Sequence, residues 1–144
     1  MMKKRKTVVV MAIKPKYAEA IYSGKKRWEF RTQLPPVPGW VLIYESAPVS
    51  AVTGRVFLAA KIQGDPSFVW NVMKTQKVIG QLPGISQREF YAYCGKRSSV
   101  SACATFFAEP FDSPVPLPEG VRPPQNWRRY YTSDGSEEKK GGAK

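Results

Sequence analysis

The chain has no histidine. That absence removes Ser-His-Asp and Cys-His nucleophilic machinery, paired-histidine ribonuclease chemistry and every histidine-based metal site. Any catalysis must run on Lys, Glu, Tyr, Ser or Thr. Cysteine is scarce as well. Cys94 and Cys103 lack the paired spacing of a disulfide framework or a zinc site, so both read as structural and a reducing, cytoplasmic setting is expected. No apolar run approaches the roughly 20 residues that span a bilayer. The stretch from Thr7 to Ile13 runs straight into Lys14-Pro15-Lys16 without a small-residue cleavage site, which argues against a secretory signal. Acidic side chains are few: 11 Asp and Glu stand against 23 Lys and Arg, leaving a net charge of +12.

That surplus is concentrated. Lys3, Lys4, Arg5 and Lys6 open the chain, and the window from Lys14 to Arg31 sets six basic residues against Glu19 and Glu29. A local basic surface favours a polyanionic partner, most plausibly nucleic acid. The bland alternative is a basic protein whose charge serves solubility alone. The apolar fraction of 42% with four tryptophans points to a folded globule, and 144 residues suit one domain.

The same window carries the clearest local structure. Pro15 suits the first helical turn, Gly24 suits the left-handed position past the last one, and Tyr17, Ala20 and Ile21 share a helical face between them. Lys25 to Arg31 follows as an extended segment mixing charge with Trp28 and Phe30. Around it, Thr7 to Ile13 reads as a strand covered on both faces, and Trp40 to Ser46 as a second strand. Arg55 to Ile62 alternates, with Val56, Leu58, Ala60 and Ile62 on one side; Ser99 to Phe107 does the same with Val100, Ala102, Ala104 and Phe106. Gly64-Asp65-Pro66-Ser67 starts a helix over Phe68 to Lys77. Ser86 and Glu89 form a capping box for another helix reaching Tyr93 and closed by Gly95. After Glu109 the chain is proline-dense to Pro124, a segment that could also dock a protein partner. The expected organisation is a basic lead-in over residues 1–6, one domain over 7–130 and a disordered tail over 131–144. The class is α+β, most simply a small, partly open β-barrel of five to six strands with two to three inserted short helices.

Several of these residues, in this order, resemble the ASCH domain, a family of the PUA-like superfamily of small β-barrels. They are Ile13, Lys14, Pro15, Lys16, Ala18, Ile21, Ser23, Gly24, Lys26, Glu29, Phe30 and Arg31, then Ile43-Tyr44-Glu45-Ser46-Ala47-Pro48-Val49, Gly54-Arg55-Val56, the Glu89-Phe90…Tyr93 helix and Pro123-Pro124-Gln125. The match runs from about Val8 to Trp127, and Gly24, Lys26, Glu29 and Arg31 are its most specific element. The resemblance implies a cleft associated with RNA or modified-nucleotide recognition. Some relatives are hydrolases, one group acting on 4-acetylcytidine and another described as ribonuclease-like. In the deacetylase-like relatives a threonine stands three positions after the lysine; here Glu29 occupies that place. A glutamate from a later helix also acts in those relatives, and Glu89 is the nearest candidate.

The candidate site therefore comprises Lys14, Lys16, Lys26, Glu29, Arg31, Tyr44, Ser46 and Trp70 for nucleic-acid binding, with Lys26, Glu29 and Glu89 as the catalytic set if the protein is an enzyme. Lys26 can hold a phosphate or, when desolvated, act as a general base. Glu29 can orient Lys26, pair with Arg31 or accept from an exocyclic amine. Lys14 and Lys16 bracket a helix start, where cations oppose the dipole and make best sense as anion ligands. Tyr44 and Ser46 end a strand where a cleft could open. Trp28, Phe30 and Trp40 read as core, and Trp70 as the better base-stacking surface. In a regular strand Lys26 and Glu29 would face opposite ways; convergence requires the chain still to be turning at Lys26. The expected partner is RNA, a modified nucleotide or a single strand. No cofactor, metal or membrane is called for.

Overall fold

A computed structural model describes residues 6–76 and 84–132. The lead-in expected over residues 1–6 lies outside the described residues except for Lys6, and so does the expected tail from residue 133 onward. The elements are β1 (Lys6–Ile13), α1 (Pro15–Tyr22), β2 (Trp28–Arg31), β3 (Gly39–Glu45), β4 (Ala51–Gly64), α2 (Pro66–Thr75), α3 (Gln87–Cys94), β5 (Val100–Val115) and β6 (Trp127–Thr132). The six strands form one mixed sheet in the order β2-β5-β4-β3-β1-β6, in which β1 and β3 are parallel and every other neighbouring pair is antiparallel.

The α+β class holds, but the sheet is not closed. Its edge strands are β2 and β6, and no ladder joins them among the described residues. The sheet is nevertheless strongly curled. β2 lies four strands from β1, a separation of about 19 Å in a flat sheet, yet the Arg31 guanidinium on β2 donates to the Ala12 carbonyl on β1 at 2.7 Å. Curling alone brings those strands within reach of one side chain.

The helix signals work as their chemistry dictates. Asp65 caps α2 by accepting from the amides of Ser67 and Phe68 at 3.0 and 3.1 Å. Ser86 and Glu89 complete the capping box of α3. The strand readings need more correction. Val56 and Leu58 face one core cluster, with Met11, Ile43 and Cys103. A bulge between Ala59 and Ile62 then shifts the parity of β4, so Ile62 turns to the second cluster, with Trp28, Trp70 and Phe90. Ala60, expected beside Val56 and Leu58, is exposed at φ 56°. In β5, Val100, Ala102 and Ala104 do share a face, against the second cluster. Cys103 on the other face is buried too, because β5 is an interior strand.

β5 continues through Pro110 and Pro114 to Val115, inside the segment read as proline-dense loop. β6 takes up the residues just before the expected tail and extends to Thr132. The tryptophans exchange roles. Trp70 is 6% exposed and packs on Phe90 with ring centroids 5.0 Å apart, so it is not a surface platform. Trp40, read as core, is 43% exposed.

Candidate functional site

The site begins at the end of α1. The Ser23 amide donates to Glu19 and the Gly24 amide to Ile21, with Gly24 at φ 83°, and the Lys26 amide then donates back to the Ala20 carbonyl at 2.9 Å. The chain is still turning at Lys26, before β2 starts at Trp28. Lys26 and Glu29 therefore meet, which a regular strand through both would forbid. Lys26 is 3% exposed and Glu29 5%.

Three charged side chains form a row, with Lys26 and Glu29 buried and Arg31 partly so. Lys26 Nζ donates to the Trp28 carbonyl at 2.5 Å and lies 3.7 Å from Glu29 Oε1. Arg31 Nε donates to Glu29 Oε2 at 2.7 Å. The two Arg31 Nη groups donate to Asn126 Oδ1 and the Ala12 carbonyl, each at 2.7 Å. Arg31 is thus fastened to three protein groups, and its geometry fixes the Glu29 carboxylate. Lys26 Nζ also stands 4.1 Å from the centroid of the Phe30 ring, a cation–π contact. Burial pulls the Lys26 ammonium below its ordinary 10.5, with Glu29 opposing that shift and Arg31 adding to it. The aliphatic stem of Lys26 packs against the backbone of Gly84, at φ 82°, where any Cβ would collide with Lys26 Cγ. Sequence reasoning missed Gly84; its glycine identity just before the α3 cap was the available signal.

This row floors a pocket of about 420 Å³. Tyr17, Phe30 and Tyr93 supply aromatic wall, and Lys14 and Ser46 stand at strand and helix ends around it. Two parallel strands end side by side there. The Ser46 amide donates to the Ile13 carbonyl at 3.0 Å, holding the ends of β1 and β3 together. Lys14, at the α1 N-cap, is exposed. Tyr17 and Tyr93 were not singled out as site residues from the sequence.

The pocket thus brings together Lys14, Lys26, Glu29, Arg31 and Ser46. It does not include the other candidates. Lys16 is exposed and pairs with Glu89 at 3.9 Å. Glu89 is occupied as the N3 member of the capping box, accepting from the Ser86 amide at 3.0 Å, and is not among the pocket-lining residues. Tyr44 is 5% exposed and packs with Val10 and Val52. Trp70 belongs to the core, as described above. Among the described residues no three His, Cys, Asp or Glu side chains group as metal ligands, and no helix is long and apolar enough to cross a membrane.

The ASCH domain matches residues 11–91, from β1 through the first turn of α3. This chain belongs to the ASCH domain family. Over 64 residues it is 41% identical to a protein of Zymomonas mobilis subsp. mobilis described as an ASCH domain-containing ribonuclease; the alignment covers 43% of this chain and 43% of that one. The chain therefore spans less than half the length of this relative. Among solved structures, the crystal structure of ASCH from Zymomonas mobilis superposes with a TM-score of 0.70 at 27% identity, covering 83% of this chain and 85% of that one. A single-residue mutant of the same protein superposes with a TM-score of 0.68 at 26% identity, covering 83% and 87%. This ASCH chain thus shares its curled sheet with those structures, and the matched segment contains the whole Lys26–Glu29–Arg31 row.

Proposed function

We propose that this ASCH domain is an RNA-binding module that admits one nucleotide of a single strand, ordinary or modified, into the pocket above the Lys26–Glu29–Arg31 row. One observation carries the reading. The pocket, at about 420 Å³, is the size of a small-ligand site, and it joins an aromatic wall to a buried, rigidly held carboxylate. An unstacked base fits such a wall. Glu29, locked by Arg31, is the acceptor for an exocyclic amine on the base edge. Lys14, at the exposed start of α1, is the phosphate contact. Ser46 offers a hydroxyl at the junction of β1 and β3. The ribonuclease description of the Zymomonas relative supports RNA as the polymer.

The test is a fluorescence titration with single-stranded RNA at low salt, with a nucleoside monophosphate as competitor. Wild type binds, the monophosphate displaces the strand, and Lys14→Ala weakens both interactions. An absence of binding even at low salt sinks the proposal.

A second reading is favoured by Lys26 itself. A lysine whose ammonium is disfavoured by burial can take a proton from an attacking hydroxyl or water, with Glu29 holding it in place. The reaction would be metal-independent hydrolysis, either of RNA or of an acylated cytidine. Incubating labelled RNA and 4-acetylcytidine with wild type and Lys26→Met separates the readings: product formed by wild type and lost in the variant establishes hydrolysis, whereas binding without product leaves a recognition module.

A further inference from the structure

The outer face of the sheet carries a second aromatic surface, away from the pocket. Trp40 on β3 stands opposite Phe57 on β4 in register, and their rings are 5.4 Å apart. Phe107 on β5 completes the cluster, 6.4 Å from each. Phe107 is 73% exposed, more than any other large hydrophobic side chain among the described residues, and its backbone sits at φ 55°, beside the register shift between β4 and β5. A buried alternative was open to a phenylalanine on a strand; here the bulge turns the ring outward instead.

One arginine lies on these rings and another shares the face. The Arg55 guanidinium lies 4.1 Å from the Trp40 ring centroid, and its other partner is Glu109 at 3.0 Å. Cross-strand pairing runs from Arg55 through Leu42 and Val10 to Arg128, so an exposed arginine on β6 shares this face. Residues directly opposite across a ladder project to the same side.

We propose that this face is a stacking platform for single-stranded RNA, separate from the pocket. The inference rests on the RNA reading above. Exposed aromatic rings accept bases of any sequence, and neighbouring arginines accept phosphates and stack in their own right. Charge decides between occupants. A polyanion complements the exposed Arg128 and the +12 net charge, the Arg55 charge being matched by Glu109, whereas a second copy of the chain would add cation to cation. Trp40 lies near the start of β3 and Ser46 follows its end, so platform and pocket stand about 20 Å apart along that strand, near the length of six stacked nucleotides.

The experiment compares the full chain with a Trp40→Ala, Phe107→Ala double variant, using a nucleoside monophosphate and a single-stranded RNA of about fifteen nucleotides. The double variant binds the long RNA about tenfold or more weakly, because each lost stacked base is expensive, and binds the monophosphate as wild type does. A ring-preserving pair, Trp40→Tyr with Phe107→Tyr, restores long-RNA binding, which separates stacking from any change in folding. Equal binding of the long RNA by wild type and the alanine pair overturns the platform while leaving the pocket intact. A wild type that is dimeric by light scattering, with a monomeric alanine variant, assigns the face to self-association and also overturns it. Wild type that binds no RNA at all overturns both readings together.

Discussion

Lys26 shows how one residue can be legible in type and opaque in state. Its spacing from Gly24 and Glu29 is printed in the sequence, but its burial depends on Gly84, some sixty positions away, and on the backbone turn that follows α1. The consequence is a desolvated cation that the fold tolerates because Glu29 lies beside it. The unfolded chain keeps the Lys26 proton to higher pH than the folded chain does, since burial lowers the folded value below 10.5. Stability therefore carries the full cost of burying the cation below the folded value, and recovers it as pH rises from there towards 10.5. Lys26→Met removes this dependence while filling the stem's volume. Urea melts should show wild type gaining on Lys26→Met as pH rises through that window. Glu29→Gln is the harsher change: it leaves the buried Lys26 and the part-buried Arg31 without their carboxylate and should cost about 3–5 kcal/mol at neutral pH. A loss no larger than that of Lys26→Met would mean that the row is solvated.

At the level of elements, helices were readable and sheet edges were not, for a physical reason. Helix caps are local: Pro15, Gly24, Asp65 and the Ser86–Glu89 box act within four residues of where they sit. The ends of β5 and all of β6 depend on partners far along the chain, so Pro110 reads as loop, Tyr131 as tail, and residues 127–130, though inside the expected domain, carry no strand signal of their own. Arg31 also spans a wide gap. It fastens β2 to β1, and to Asn126 at a separation of 95 residues, and no local pattern encodes those bonds. Because Asn126 also accepts from the Ala12 amide at 2.9 Å, Arg31 holds the entry to β6 against β1. Lysine cannot reproduce that fork. Arg31→Lys should lower stability by about 2–4 kcal/mol, from the lost charge-assisted bonds. Hydrogen exchange at the Ala12 amide should quicken while the Phe90 amide in α3 stays protected. Uniform acceleration across both would show that Arg31 supports the whole fold and not this seam.

For the molecule as a whole, the charge surplus alone explains attraction to any polyanion, so a localised contact needs separate proof. Single-stranded binding weakens with salt by a logarithmic slope of about −0.7 for each phosphate neutralised. If the strand is held where Lys14 meets the pocket, Lys14→Ala makes that slope shallower by about 0.7, because one counterion-releasing contact is gone. Lys74 has the same charge and is also exposed, but it lies on α2 near the Trp70 ring, away from the pocket lining. Lys74→Ala should leave the slope where it was, and Ser46→Ala should weaken binding without changing it, since a hydroxyl releases no counterion. Titrations across a range of salt concentrations decide the matter. Equal loss of slope in the two lysine variants would mean that the chain attracts RNA by diffuse charge, and the pocket would then hold no phosphate.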